Sequence, residues 1–177
     1  NEGIEKARGK YIARMDADDR SMPQRLEKQI EYMKSHSKVV ICGTTFVEID
    51  SEGDILQKIA VPLEDCVIRQ ELLARCPFAH GSTLYSREAC LKAGLYNQED
   101  FPAEDYSLWI KMADQGNMAN LSDELFNYRV FDSSISHTVS DLQSKQADKI
   151  RQFAWSKWPL QIQQQPKIWL AICNQLK

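Results

Sequence analysis

Lys10-Tyr11-Ile12-Ala13-Arg14-Met15-Asp16-Ala17-Asp18-Asp19 joins a β-compatible core, Tyr11 to Ala13, to three aspartates. In an extended chain, side chains two residues apart point to the same side, so Asp16 and Asp18 present two carboxylates together. With residues 10–15 as a strand, both stand at its C-terminal end, the rim where open α/β sheets bind ligands. Paired carboxylate oxygens suit a hard divalent cation, Mg²⁺ or Mn²⁺. Such an ion keeps positions open for diphosphate oxygens and neutralises charge developing on a phosphate leaving group. The plainer alternative is an exposed acidic turn that caps the following helix.

The flanking sequence favours the functional alternative. Downstream, Ser21 reads as an N-cap and Pro23 as an early helical position. Leu26, Ile30 and Met33 then fall at i, i+4 and i+7 as an apolar helical stripe. Upstream, residues 1–9 read as a helix running straight into the strand. An α/β domain that opens mid-unit is expected to lack its start, so the sequence reads as N-terminally truncated.

Val39 to Cys42 is a continuous apolar run, as in a strand buried on both faces. It continues to Ile49, turns through residues 50–54 and returns as a hairpin partner over Ile55 to Val61. A helix is expected over Glu64 to Ala74, extended chain over Pro77 to Tyr85, and a helix after Pro102. Glu104 and Asp105 occupy that helix's first turn, where the dipole favours carboxylates. Asp105 also shares the inward face with Trp109 and Met112, an odd place for a carboxylate without a task. Residues 124–130 read as a last strand.

With 43% hydrophobic and 27% charged residues over 177 positions, the composition is that of a soluble globular protein. The net charge of −3 excludes a generally basic nucleic-acid binder. No run of 18 apolar residues and no signal peptide is visible. Five scattered cysteines form no C-x-x-C pair and read as reduced core thiols in a cytoplasmic protein. The expected division is a main unit over 1–135 and a helical tail over 136–177. Beyond Phe131 the chain carries six Lys/Arg against three Asp, with Trp155, Trp158, Trp169 and the Gln-rich stretch Gln161 to Gln165. The tail is read as packing on the main unit. The alternative is peripheral contact with an anionic membrane surface, the inner face of the cell membrane.

The stretch from Ala7 to Gln29 resembles the D-x-D region of family 2 glycosyltransferases, which have the GT-A fold. The resemblance continues in order through Val40 to Gly43, Ile49 to Gly53, Pro77 to Ser82, Gly94 to Tyr96, Glu104 to Trp109 and Asn127 to Arg129. It covers roughly residues 1–136. It implies a Rossmann-like mixed sheet flanked by helices, with a helical C-terminal extension. The implied activity is inverting, metal-dependent transfer of a sugar from a nucleoside diphosphate sugar to a glycan or lipid-linked acceptor, as in bacterial polysaccharide biosynthesis. A non-catalytic remnant or interaction module of the same fold is the alternative.

Carried over residue by residue, the resemblance makes Asp18 a direct metal ligand and gives Asp16 the metal or the ribose side, with Asp19 as a helper. Glu104-Asp105 matches the acceptor-side motif, with Asp105 as catalytic base. A helix N-terminus is expected to lower its pKa and weaken it. His80 sits where a sugar hydroxyl or phosphate is oriented, the alternative being a structural hydrogen bond. Trp109 is either the floor beneath an acceptor sugar or core, and Arg129 faces the diphosphate or pairs with a nearby acid. The chain departs from the pattern at Phe131, where many relatives carry His. The family's first strand and base-recognising Asp are expected before Asn1.

Overall fold

The apolar run at Val39 becomes β3 (Val39–Ile49), the strand around which a six-stranded mixed sheet forms. The computed structural model describes residues 1–131 and 140–158. In chain order these form α1 (Glu2–Lys6), β1 (Tyr11–Ala13), β2 (Arg20–Ser21), α2 (Arg25–Ser35), β3, β4 (Ile55–Ile59), α3 (Asp65–Glu71), β5 (Leu84–Ser86), α4 (Arg87–Lys92), α5 (Glu104–Met112), β6 (Asn117–Arg129) and α6 (Ser140–Lys157). The sheet order is β1-β5-β3-β6-β2, with β4 also paired to β3. β3 and β6 run parallel along their whole length, while the other pairings are antiparallel. Parallel pairing covered on both faces accounts for the unbroken apolar start of β3.

Three expectations are corrected. Ser21 lies in β2 and caps nothing; α2 starts after Gln24, which makes no side-chain cap bond. The buried ridge of α2 is Arg25, Gln29 and Met33, whereas Leu26 is 43% exposed. Met33 packs against Cys42 and Leu84, while the other two face carbonyl groups. Gln29 Nε2 donates to the Cys42 and Ser82 carbonyls at 2.6 and 2.9 Å, and Arg25 donates to those of Gly81 and Arg14 at 2.6 and 3.1 Å. Buried acceptors require donors, so polar side chains face inward here. Finally, β6 begins at Asn117, not at 124. Its register against β3 breaks between Leu121 and Glu124, and this bulge hides the first half of the strand behind Ser122 and Asp123.

α4 was not foreseen. Ser86 Oγ caps it by accepting from the Ala89 amide at 3.3 Å, and Gly94, at φ +91°, ends it in a left-handed turn.

α5 lies in the main core, where Tyr106, Leu108, Trp109, Ile110 and Met112 are all buried. Ile150 and Ala154 of α6, and Trp158 just after it, belong to the same apolar cluster. Trp155 Nε1 and Arg151 Nη1 bond the Leu73 and Ala74 carbonyls at 2.8 and 3.2 Å, and Gln146 bonds that of Glu99 at 2.8 Å. The described part of the tail therefore packs on the body. The Gln-rich stretch, Trp169 and Cys173 lie outside the described residues.

Candidate active site

Antiparallel pairing of β1 with β5 and of β2 with β6 fixes both ends of the loop that carries Asp16, Asp18 and Asp19. The loop stands at the sheet's rim beside the ends of β3 and β6. Asp16, Asp18, His80, Glu104, Asp105 and Arg129 all line one cleft there, with a volume of about 600 Å³. Six positions spread over more than a hundred residues thus converge on one cavity.

Asp19 is the loop's anchor. It is buried, and its Oδ1 accepts from the Arg129 backbone amide at 2.8 Å. Burial, reinforced by the charges of Asp16 and Asp18, pushes its carboxyl up to about 6 despite that bond. Only glycine fits opposite it at position 81. A Cβ there would come within 2.6 Å of Phe126 and 2.7 Å of Asp19 Oδ2. Arg129 fastens the same loop from the other side. Its guanidinium donates to the carbonyls of Asp18, Asp50 and Ser51 at 2.9, 2.5 and 2.7 Å. Three carbonyl bonds thus hold the Arg129 guanidinium. These tie the aspartate loop to the β3–β4 turn.

Asp16 forms an ion pair with Arg14, which also lines the cleft. Arg14 was missed in the sequence; it follows β1 directly, and its backbone amide bonds the Thr83 carbonyl at 3.0 Å, whereas Asp18 lies in a turn beyond the strand, where the expected alternation no longer applies. Gln143 of α6 lines the cleft too, and only tertiary packing brings it there.

Asp105 opens α5. Its Oδ1 accepts from the Tyr106 amide at 2.7 Å, and the Cys76 thiol lies 3.8 Å from Oδ2. The expected lowering of its pKa is reversed. Burial raises the carboxyl to about 6, and the neighbouring Glu104 charge adds to this; the Tyr106 bond and Arg14 oppose it without prevailing. The cause is desolvation, which outweighs one turn of helix dipole.

Trp109 is fully buried, so of its two readings core is the one realised, and it presents no floor to a sugar. Its ring instead backs the cleft wall, edge-on to Phe78 and His80 at centroid distances of 6.0 and 5.9 Å. His80 Nε2 meets the Tyr96 hydroxyl at 2.8 Å. Burial lowers its pKa to about 3, so the ring is neutral at physiological pH and brings no charge to a phosphate.

Among the described residues no group of three or more His, Cys, Asp or Glu side chains is placed to hold a metal ion. Asp16 and Asp18 are a pair rather than a cage. That donor set fits Mg²⁺ or Mn²⁺, ions held by one or two carboxylates with substrate phosphates completing the shell.

The family model described as glycosyl transferase family 2 matches residues 1–93, over half of the sequence. The chain belongs to glycosyl transferase family 2. The matched segment holds the three aspartates and His80, while Asp105 and Arg129 lie beyond it. Similar proteins include the amylovoran biosynthesis glycosyltransferase AmsE of Erwinia amylovora, 38% identical over 130 residues, covering 73% of this chain and 48% of that protein. The O-antigen biosynthesis glycosyltransferase WbnJ of Escherichia coli is 30% identical over 156 residues, covering 86% of this chain and 60% of that one. The chain spans about half the length of these relatives. Among solved structures, S. aureus TarS residues 1–349 in complex with UDP superposes with a TM-score of 0.56 at 16% identity, over 75% of this chain and 39% of that one. The fold is GT-A.

Proposed function

We propose that this family member carries the diphosphate and catalytic part of an inverting glycosyltransferase. It moves a sugar from a nucleoside diphosphate sugar to a glycan or lipid-linked acceptor, with Mn²⁺ or Mg²⁺ held by Asp16 and Asp18. The observation that carries this reading is that Asp16 and Asp18, on the loop between β1 and β2, and Asp105, on α5, line the same cleft. The names of the polysaccharide-building relatives and the UDP bound by TarS support it.

When bound, the divalent ion supplies Lewis-acid neutralisation of the diphosphate. The chain's own residues do the rest. Asp105 takes the proton from the acceptor hydroxyl. That oxygen attacks the anomeric carbon from the face opposite the diphosphate, whose bond to the sugar breaks, so the configuration inverts. A carboxyl raised to about 6 is a better base than an ordinary aspartate and is still ionised at pH 7. Arg129 holds the aspartate loop in place through three carbonyls, and its role toward the diphosphate is positional. Arg14, paired with Asp16, offsets part of the acidic lining that an incoming diphosphate meets.

The test is Asp105→Asn in the full-length protein, which is expected to bind nucleoside diphosphate normally and to lose turnover roughly 10²–10⁴-fold. Unchanged turnover removes Asp105 as base.

A further inference from the structure

The thiol of Cys76 has two acceptors within reach, the Phe78 carbonyl at 3.5 Å and Asp105 Oδ2 at 3.8 Å. We propose that Cys76 is a positioning residue for the base: its thiol donates to Oδ2 and holds the carboxylate in one orientation, while the Tyr106 amide holds Oδ1 at 2.7 Å. The proposal rests on the transferase reading and adds to it how the base is held.

Both partners are fixed by the scaffold. Three successive carbonyls just before Cys76 accept bonds from other elements: Leu72 from the Tyr106 hydroxyl at 2.5 Å, Leu73 from Trp155 at 2.8 Å and Ala74 from Arg151 at 3.2 Å. Directly after it, the Pro77 carbonyl accepts from Asn120 Nδ2 of β6 at 3.4 Å. Tyr106 is next in sequence to Asp105, so its bond to Leu72 also fastens the first turn of α5 to this segment. Backbone with little freedom thus delivers the sulfur to the carboxylate. Among the described residues no Lys, Arg or His side chain hydrogen-bonds Asp105. Glu104 and Arg14 reach it as charges of opposite sign, and the Tyr96 hydroxyl feels its charge in turn.

The thiol suits this task because it is a weak donor. Burial, then the Asp105 charge, holds it well above the ordinary thiol range, so it keeps its proton and donates wherever Asp105 titrates. A strong donor there would draw the carboxyl back toward an ordinary aspartate and weaken the base. Sulfur orients the group and leaves it at about 6.

Carbon-13 NMR of the full-length protein, labelled at its aspartate carboxyls and titrated from pH 4 to 8, tests this; the Asp105 signal is the one missing in Asp105→Asn. Cys76→Ala removes the donor and Cys76→Ser supplies a stronger one, and both side chains are smaller than cysteine's, so both fit the site. The expected midpoints lie about half a unit above wild type in Cys76→Ala and about half a unit below it in Cys76→Ser. A merely structural thiol would lower the melting temperature in both variants and leave the three midpoints together, and that result overturns the proposal, as does the reverse order. Turnover of Asp105→Asn reads the parent assignment separately. If it is unchanged, Asp105 is not the base and the positioning role goes with it; if it is lost while the midpoints coincide, only the role of Cys76 falls.

Discussion

Asp105 shows how environment decides a residue's chemistry. The sequence placed it correctly, on the inward face of α5's first turn, but predicted the wrong sign for its pKa. A helix terminus is legible in sequence; the burial that overrides it is set by packing from distant residues such as Cys76, which is not. With the folded carboxyl at about 6 against an ordinary 3.8, both states are protonated below pH 4 and the native state binds more protons between 4 and 6. The contribution of Asp105 to stability should therefore fall as pH rises through that window, because the fold must bury a charge. We predict that Asp105→Asn melts higher than wild type at pH 7 and that this gap narrows toward pH 4, while Asp19 and His80 titrate alike in both proteins. Differential scanning fluorimetry across pH 4–8 checks it; identical slopes in the two proteins would refute the buried-charge account. Turnover in wild type should rise with pH and level off above about 6, measured as kcat/KM at saturating metal. His80 and Trp109 were both given two readings from sequence. One is settled as core by its full burial. The other is a neutral ring bonded to Tyr96.

At the scale of elements, alternation and periodicity reported different amounts. The apolar run of β3, the hairpin through residues 50–54 and α5 were legible because their patterns follow from burial on one or both faces. α2 was legible as a helix but not in orientation. Its buried Arg25 and Gln29 answer carbonyls contributed by residues up to 56 positions away, which no local pattern encodes. β6 was half hidden because its bulge interrupts the alternation. The close approach of β3 and β6 makes its own prediction. A Cβ at Gly43 would fall on the Asn120 side-chain oxygen and within 2.8 Å of Phe78. Gly43→Ala should cost about 1–3 kcal/mol, the usual penalty of overpacking. Equilibrium urea unfolding measures it, and a midpoint equal to wild type would show that the two strands have room to spare.

For the molecule as a whole, the cleft is assembled by the sheet's rim on one side and by α5, the 77–82 segment and α6 on the other. Among the described residues no helix is long and apolar enough to cross a membrane. The described helix of the tail buries Ile150 and Ala154 in the body's core, and Trp158 just beyond it joins them. A side chain the size of Ile150 contributes about 1.5–3 kcal/mol when withdrawn from water. A chain ending at residue 135 should accordingly melt at markedly lower temperature; retention of the full melting temperature would show that α6 is dispensable. Under the proposed function, two carboxylates at the sheet's rim hold a divalent ion against a sugar nucleotide's diphosphate. Isothermal titration of the full-length protein with a panel of nucleoside diphosphates, with and without Mn²⁺, tests it directly. Heat that requires Mn²⁺ with at least one nucleotide, and that disappears in Asp18→Ala, is the predicted result. Binding that is indifferent to Mn²⁺ or to the loss of Asp18, or no heat with any nucleotide, would contradict it.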